Sequence, residues 1–374
     1  MWNVPTENRK QKTENRKPYN MTPTRKPGSR QTSSKVKGLP TLRQGPPASP
    51  DPVLLALKTA AVPISGEGLA GELGLSRMAV WKRINRLKVL GYEIEGSPRR
   101  GYRLLGVPDK LLPEEIYPDL KTHRIKGPVF HYDSLASTND LAKELGARDF
   151  PEGAVVVAEG QSGGRGRLGR DWDSPPSVGL YVSVLLRPPL PPWELPQITL
   201  TAAVAVVKAV ERAAGVTPGI KWPNDLLLEG KKLGGILTEM ETESDRIRYL
   251  VVGLGLNVNN PQFPGELQDT ATSLALTQGR SFSRVAILKA WLEEFDSLYQ
   301  RFLAQEFPGI LEEWKRYAVT LGRMVTVRQG SRTIQGLALE VASDGALILK
   351  TRAGETVRVT SGEIAPDPPG GRGI

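Results

Sequence analysis

The sequence predicts an α+β protein in which three folded parts follow a basic extension. Apolar residues at helical spacing dominate residues 51–107, whereas strand-like runs alternate with helical segments in residues 108–318. Short alternating strands separated by glycine-containing turns fill residues 319–368. These patterns predict, in order, a small helical domain, a mixed-sheet domain and a small β-barrel of SH3-like size. The length of 374 residues agrees, because a domain typically spans roughly 150 residues.

Composition excludes several classes of protein. Cysteine is absent, so disulfides, thiolate metal sites and cysteine nucleophiles are excluded. No apolar run approaches the roughly 18 residues that a membrane span requires, and the first residues lack the apolar stretch of a secretory signal. These absences are compatible with a cytoplasmic protein that has no membrane partner, although an oxidising compartment also tolerates proteins without cysteine.

Positive charge is concentrated in residues 1–50. This stretch contains 11 Lys and Arg residues against Glu7 and Glu14, which accounts for +9 of the formal net charge of +10. Because apolar periodicity is almost absent, we interpret it as a disordered extension. An acid-poor basic segment is also typical of a transit peptide. The nearly neutral remainder does not, by its charge alone, predict nucleic-acid binding.

The first folded part predicts three helices and a hairpin. Apolar helical segments at Val53–Ala60 and Leu69–Leu73 precede a third segment, Arg77–Leu90, which stops at Gly91. Residues 92–105 alternate around a basic turn and predict a β-hairpin. Two helices joined by a short turn and followed by a hairpin are typical of a winged helix-turn-helix.

The third helix combines an apolar stripe with a cationic face. The apolar residues recur at helical spacing, so that stripe is expected to face the core. The remaining face and the hairpin tip carry the residues that we predict to contact DNA, namely Arg77, Lys82, Arg83, Arg86, Arg99 and Arg100. The alternative is a small helical domain that binds protein, because solvated Lys and Arg faces are common.

A glycine- and arginine-rich loop follows the predicted strand Ala154–Ala158. Gly163–Arg170, within the segment QSGGRGRLGRDW, contains four glycines and three arginines. Glycines let backbone N–H groups approach an anion, and guanidinium groups match carboxylate and phosphate oxygens. The loop lacks the Gly-Lys-Ser/Thr ending of a Walker phosphate loop. On its own it predicts either an anion-binding loop or a basic surface loop.

Four motifs together resemble the biotin protein ligase family. Ser-Thr-Asn at 137–139 precedes the glycine-rich loop, and KWPND at 221–225, KKLGGIL at 231–237 and GLGLNV at 253–258 follow it. Each motif is weak alone, but their combination in this order is specific. The resemblance covers roughly residues 51–366 and includes the N-terminal winged helix of the group that also represses biotin genes.

The resemblance implies a fold and an activity. The central domain should be similar to class II aminoacyl-tRNA synthetases, and an SH3-like β-barrel should follow it. The implied enzyme uses ATP and Mg²⁺ to convert biotin to biotinyl-5′-AMP, and then transfers biotin to a lysine of the biotin carboxyl carrier protein. A homodimer formed in the adenylate-bound state is expected to bind operator DNA through the winged helix.

The resemblance also implies roles for individual residues. Catalytic roles fall on Lys232, Arg165, Arg167 and Asp225. The residues implied for biotin are Ser137, Thr138, Asn139, Gln161, Arg165, Gly166, Arg167, Lys232 and Gly235. Those implied for the nucleotide are Arg170, Trp172, Lys221, Asn224 and Asn257. Asp225 is also the candidate contact for Mg²⁺, but no dense carboxylate cluster predicts a protein cage for the metal.

Two alternatives stay open at this point. A lipoate-type ligase uses a related fold, and a ligand-responsive repressor could lack ligase activity. The intact loop and the KWPND segment favour biotin, while the presence of Lys232, Arg165 and Arg167 favours an active enzyme. Leu168 departs from the pattern, because the family's loop often has a second consecutive arginine at this position.

Overall fold

The computed structural model describes residues 51–97 and 100–365. The predicted extension at 1–50, Arg99 and the residues after 365 lie outside those ranges. Within the described ranges, no helix combines the length and the apolar character needed to cross a bilayer.

The N-terminal unit consists of three helices and a hairpin, as predicted. Its elements are α1 (Pro52–Thr59), α2 (Gly66–Leu73), α3 (Arg77–Leu90), β1 (Glu93–Ser97) and β2 (Gly101–Gly106). Helix α3 has its predicted limits because both ends carry local signals. The Ser76 hydroxyl accepts a hydrogen bond from Ala79 N at 3.1 Å, and Gly91 adopts the left-handed conformation with φ 105°.

A seven-stranded mixed sheet forms the centre of the molecule. Its strands are β3 (Val129–Tyr132), β4 (Val155–Ala158), β5 (Gly179–Leu186), β6 (Gly219–Lys221), β7 (Asp225–Leu228), β8 (Lys231–Glu243) and β9 (Arg246–Asn257). Their order is β3-β4-β5-β9-β8-β7-β6, and β3 and β4 run parallel while the other described neighbours run antiparallel. The mixed-sheet prediction is confirmed.

Helices flank this sheet. They are α4 (Pro113–Ile116), α5 (Thr138–Ala147), α6 (Leu195–Ala214), α7 (Leu274–Gln278), α8 (Arg284–Leu303) and α9 (Phe307–Tyr317). Helix α6 packs against α8 and α9 and is buried along most of its length. The apolar spacing of residues 199–214 predicts this helix from Thr199, whereas the helix begins at Leu195, because Pro196 is compatible with the first turn of a helix.

The two faces of the sheet have different neighbours. Successive side chains of a strand point to opposite faces. In β5, Leu180, Val182 and Val184 join the apolar core that α6 and α8 cover. Ser183 points the other way and contacts Thr138 of α5. The sheet therefore has one face sealed by long helices and one face that α5 covers in part.

The C-terminal part is a five-stranded antiparallel sheet. Its strands are β10 (Met324–Gln329), β11 (Arg332–Val341), β12 (Leu347–Thr351), β13 (Thr356–Val359) and β14 (Glu363–Ile364). Their order is β13-β12-β11-β10-β14. The predicted turns are confirmed, since Gly330, Gly345 and Gly354 all have positive φ. The outer strands β13 and β14 do not pair, so the described strands form an open sheet rather than a hydrogen-bonded closed barrel.

Asp296 of α8 should be essential for the packing of the segment before β3. Its buried carboxylate accepts hydrogen bonds from the backbone N–H groups of His123, Arg124 and Ile125 at 2.9, 2.7 and 2.6 Å. Asp296→Ala leaves these donors without a partner, so we expect a loss of about 2–3 kcal/mol of stability in urea unfolding. Asp245→Ala, on an exposed turn, is the control. Equal stability of the two variants would contradict this role.

Candidate functional site

A cavity of about 600 Å³ lies on the partly open face of the central sheet. The N-terminus of α5, the glycine-rich loop, strands β7, β8 and β9 and the C-terminal sheet all contribute to its walls. Every residue that the sequence analysis assigned to catalysis, biotin or nucleotide lines this one cavity. The fold thus brings together four motifs that are distant in the sequence, although the role of each residue stays a prediction.

One end of the cavity is a network of buried hydroxyl and amide groups. The Ser183 hydroxyl lies 2.8 Å from Thr138 Oγ1 and 2.6 Å from Asn139 Oδ1. Thr138 N donates to Gln161 Oε1 at 2.8 Å, and Gln161 Nε2 donates to Ser174 Oγ at 3.1 Å. Because these bonds fix the side chains before any ligand binds, this end is a preorganised polar subsite.

The Asn139 side chain sits directly over the sheet. Its Nδ2 donates to Glu239 Oε2 at 2.7 Å and to Leu237 O at 3.3 Å. A Cβ atom at Gly253 would lie 2.1 Å from Asn139 Oδ1, so any larger residue there would displace the amide. Ser137, the N-cap residue of α5, is buried beside it and makes no side-chain capping bond. Its hydroxyl is therefore not committed to the helix.

The sequence analysis did not identify Ser183 and Glu239. Both support the amide network from neighbouring strands rather than from a motif. One signal was present in the sequence, because Ser183 is a small polar residue in the fully buried strand Gly179–Leu186, whose other residues are glycine or large hydrophobic residues. A buried polar side chain in such a strand requires a partner.

Two arginines of the glycine-rich loop form ion pairs with neighbouring elements. Arg165 pairs with Asp140 on α5, and Arg170 pairs with Glu363 on β14. The charges of Arg165 and Lys143 keep the pKa of Asp140 below its usual value, although burial opposes this shift. The loop is thus held at one end by α5 and at the other by the C-terminal sheet.

Arg167 is the loop cation that faces the cavity without an acidic partner at hydrogen-bond distance. Its Nη1 donates to Gly362 O at 3.0 Å and to Asn224 Oδ1 at 3.3 Å, and both acceptors are neutral. Burial lowers the pKa of this guanidinium, with Asp225 opposing the shift, but an arginine stays protonated in proteins. A partly desolvated cation of this kind favours an anionic ligand.

The tip of the loop is strained at the position where the sequence departs from its family. Leu168 has φ 58°, and its side chain is 78% exposed. A left-handed conformation costs a non-glycine residue about 1–2 kcal/mol. The turn is closed by a hydrogen bond from Gly166 N to Arg170 O at 2.7 Å.

Lys232 lies at the centre of the cavity. Its Nζ is 2.7 Å from Asp225 Oδ1 and 5.5 Å from the centre of the Trp172 ring. The indole lies on Gly255, where a Cβ atom would be 2.6 Å from the ring. Trp172 Nε1 is buried without a hydrogen-bond partner among the described residues, so it is a donor available to a ligand or water.

The remaining residues that were predicted to contact the nucleotide also line this cavity. Asn224 exchanges two hydrogen bonds with the backbone of Ile236, at 2.7 Å and 3.0 Å, and thereby fixes the start of β7 against β8. Asn257 Nδ2 donates to Thr272 O at 3.0 Å. This bond holds a segment whose backbone is hydrogen-bonded to the backbone of Lys232. Lys221 ends β6 and lines the cavity. These amides therefore have structural contacts in addition to their predicted ligand roles.

The described residues contain no arrangement that would cage a metal ion. No group of three or more His, Asp or Glu side chains converges in residues 51–97 and 100–365. Asp225, the predicted Mg²⁺ contact, is engaged with Lys232.

Three of the cations predicted to contact DNA form ion pairs. Arg83 Nη1 lies 3.0 Å from Asp51 Oδ2, Arg86 Nη2 lies 2.6 Å from Glu114 Oε1 on α4, and Arg77 pairs with Glu67 on α2. These carboxylates would compete with a phosphate group for the same donors. Arg77 is nevertheless exposed, as are the other described members of the set, Lys82 and Arg100.

A buried charge cluster supports the polar end of the cavity from behind. Glu159, two residues before Gln161, lies 2.9 Å from Arg284 Nη1 and 3.0 Å from His131 Nε2. It also accepts a hydrogen bond from Leu111 N at 2.8 Å. Burial opposes ionisation, but the His131 contact and the charge of Arg284 lower the pKa of Glu159 to about 2. The cluster ties the segment after the hairpin to the sheet.

Comparison with known proteins agrees with this geometry. The model of the biotin/lipoate A/B protein ligase family matches residues 132–257, an HTH domain matches residues 53–103, and the biotin protein ligase C-terminal domain matches residues 320–365. Along the chain, the HTH, ligase and C-terminal matches fall on the N-terminal unit, the central sheet and the C-terminal sheet, respectively.

Curated relatives match most of this chain. The bifunctional ligase/repressor BirA of Bacillus subtilis is 43% identical over 293 residues, which cover 78% of this chain and 90% of the relative. The protein of that name from Escherichia coli is 27% identical over 287 residues, covering 76% and 88%. The structure of the Aquifex aeolicus biotin protein ligase in complex with biotin and ATP matches with a TM-score of 0.55 and 30% identity, over 63% of this chain and 97% of that one.

The cavity on the mixed sheet, the helix-turn-helix unit and the family matches together place the chain among the ligases that carry a DNA-binding domain. The extent and identity of the Bacillus match make the assignment specific. The chain belongs to the biotin protein ligase family.

The Glu159 cluster predicts a pH dependence of stability. Because folding lowers the Glu159 pKa from 4.5 to about 2, its stabilising contribution is present above pH 4.5 and is lost as the pH falls towards 2. We expect Glu159→Gln to destabilise the protein most at pH 7, and the difference from wild type to shrink between pH 4.5 and 3 in urea unfolding. Glu266→Gln, at an exposed position, should show no such trend. A difference that is independent of pH would contradict the assignment.

Proposed function

We propose that this chain is a biotin–[biotin carboxyl carrier protein] ligase that also represses biotin synthesis genes. One observation carries the ligase proposal. Arg167 and Lys232 converge on a single cavity whose other end is the buried hydroxyl and amide network. Such a cavity suits a molecule that is polar and uncharged at one end and anionic at the other, as biotin is. The names of the relatives support this choice of ligand.

We place the ureido ring of biotin at the amide network. This ring has two N–H donors and a carbonyl acceptor, and hydroxyl and amide side chains suit both. The candidate contacts are Ser137, Thr138, Asn139 and Gln161. Gly253 and Gly255 leave room for Asn139 and Trp172, so the amide and the indole lie close to the sheet and can form the surface on which the ring and its chain rest. Gly166 and Gly235 are the proposed backbone contacts beside the carboxylate.

We place ATP at the cationic end. Arg170 and Lys221 are the proposed phosphate contacts, and Asn224 and Asn257 are the proposed polar contacts to the nucleoside. Trp172 supplies an aromatic face and a free indole N–H. Mg²⁺ would arrive with the ATP phosphates, with Asp225 as its candidate protein contact, because no carboxylate cage is present among the described residues.

The first step needs screening of charge rather than a base. A biotin carboxylate oxygen attacks the α-phosphorus, and the bond from that phosphorus to the departing pyrophosphate breaks. The carboxylate is already ionised near pH 7, so no proton has to be removed. Two anions must approach each other, and we assign Lys232, Arg165 and Arg167 to stabilise the negative charge of the phosphoryl oxygens.

The second step needs a neutral amine. The carrier lysine nitrogen attacks the carboxyl carbon of the adenylate, a C–N bond forms and AMP leaves. A free lysine has a pKa of about 10.4, so its proton must be accepted near the reaction centre. Asp225 is our proposed acceptor. Its contact with Lys232 keeps it beside the mixed anhydride.

The finer architecture is also proposed. We assign domain boundaries at 51–107, 108–318 and 319–368, with a central domain similar to class II aminoacyl-tRNA synthetases. We propose that the C-terminal strands form an SH3-like arrangement of a bent but open sheet, because the register of β11 shifts between Ala338 and Glu340 and a bulge of this kind bends a strand. The cytoplasmic location stays an expectation from the resemblance.

Repression is proposed to depend on the adenylate. A ligand that orders the glycine-rich loop can favour a homodimer by mass action, and a dimer presents two helix-turn-helix units to two operator half-sites. The HTH match and the names of the relatives support this part of the proposal.

Biotin-dependent exchange of labelled pyrophosphate into ATP tests the ligase proposal. We expect exchange with biotin and a loss of at least 100-fold in Lys232→Ala, because the cation between the two anions is removed. Lys231→Ala is the matched control, since this neighbouring side chain is exposed and contacts Gln268 O. Exchange with lipoate alone would indicate a lipoate-type ligase, and no exchange with either acid would indicate a regulator without ligase activity.

Gly253→Ala tests the position of the ureido subsite. The added methyl group would overlap the Asn139 amide and displace it from Ser183 and Glu239. We expect at least a ten-fold weaker affinity for biotin in calorimetric titration, because a buried network loses its geometry. Gly71→Ala on α2, where a Cβ atom meets nothing within 4 Å, should bind biotin like the wild type. Unchanged affinity in Gly253→Ala would place the ureido ring elsewhere.

A further inference from the structure

The outward face of α3 exposes two large apolar side chains. Met78 is 61% exposed and Trp81, one turn later, is 52% exposed. Neither belongs to the apolar core of the N-terminal unit. Lys82 follows Trp81 and is also exposed. Residues three positions apart on a helix are neighbours, so Met78 and Trp81 form one exposed apolar patch, and such a patch indicates a surface that a partner covers.

The remaining faces of α3 are already occupied. Val80, Ile84 and Leu87 are buried against the other helices. Arg83 and Arg86, on the flank of that stripe, form ion pairs with Asp51 and Glu114. The structure therefore separates the helix into a core side, a salt-bridged flank and an outward face on which Trp81 lies near the N-terminal end.

The charge of the helix indicates the chemistry of the partner. Arg77–Leu90 contains five Lys and Arg residues and no acidic residue. Arg100 and Arg103 of the hairpin are exposed as well. A cationic helix of this kind suits the phosphate-lined major groove of DNA, which is about 12 Å wide and admits an α-helix. A protein partner would have to be strongly acidic to match the same surface.

We propose that Trp81, assisted by Met78, determines DNA sequence specificity by apolar contact with thymine C5-methyl groups in the major groove. The first residues of a recognition helix are those that reach base edges, and Trp81 is the fifth residue of α3. Thymine is the base whose groove edge carries a methyl group, so an apolar side chain can distinguish it. Lys82 contacts a phosphate and carries no sequence information. This inference rests on the repressor part of the proposed function.

The experiment begins with the full-length protein in the presence of biotin and ATP. Duplexes are selected from a random-sequence DNA library, and the affinity for the enriched duplex is measured by gel shift. The same duplex is then prepared with uracil in place of every thymine, which removes the methyl groups and keeps the base pairing. We expect the wild type to bind the uracil duplex about ten-fold or more weakly.

Variants assign this discrimination to one side chain. Trp81→Ala should lose about ten-fold or more in affinity for the enriched duplex and bind the thymine and uracil duplexes equally. Trp81→Phe should keep part of the discrimination. Lys82→Ala should weaken binding to all duplexes alike and lower the slope of the salt dependence by about one. Val89→Ala, an exposed apolar residue in the last turn of α3, is the matched control and should resemble the wild type.

The outcomes separate this inference from the function on which it rests. Enrichment of a sequence by the wild type, with equal binding of both duplexes or with unchanged discrimination in Trp81→Ala, would overturn the role of Trp81 and leave repression standing. Failure of the wild type to enrich any sequence would overturn both. Loss of self-association in Trp81→Ala, measured by sedimentation, together with unchanged DNA affinity would instead assign this surface to a second copy of the chain.

Discussion

The central strands must satisfy two opposite requirements, and the site depends on both. One face of β5, β8 and β9 packs under α6 and α8, so it needs bulky apolar side chains. The other face is the floor of a ligand cavity, so it needs space. The alternation of a strand allows both in one segment. In β9, Leu254 and Leu256 enter the core while Gly253 and Gly255 leave room for Asn139 and Trp172.

The cations above this floor are held by contacts of different strength. Arg165 and Arg170 form ion pairs with acidic side chains of α5 and β14, respectively, whereas Arg167 contacts neutral oxygens. Lys232 lies between the carboxylate of Asp225 and the face of Trp172. A ligand anion therefore meets two cations, Arg167 and Lys232, that are already positioned in the cavity. The repulsion between these positive charges is overcome during folding, so ligand binding does not have to bring them together.

Local signals predicted most of the fold. Helix α3 was predicted at both ends, since Ser76 caps it and Gly91 ends it. The first turn of α6 and the whole of α9 were not predicted. Helix α9 packs mainly on α6, so burial against a neighbouring helix stabilises it more than its local sequence does. The C-terminal strands were predicted from their turns, but turns do not decide whether a sheet closes. That depends on whether β13 and β14 meet, which they do not.

The sequence by itself determined the family and the residues that line the cavity, because glycines, arginines and amides occur there in a specific order. Only the tertiary structure decided their partners. No motif contains Ser183 or Glu239, since they reach the site from strands whose neighbours are set by the sheet. Likewise, helical spacing alone cannot separate Arg83 and Arg86, which face carboxylates of other segments, from Lys82, which faces solvent. The spacing of residues along a helix determines the direction in which a side chain points, whereas tertiary packing determines which residues it meets there.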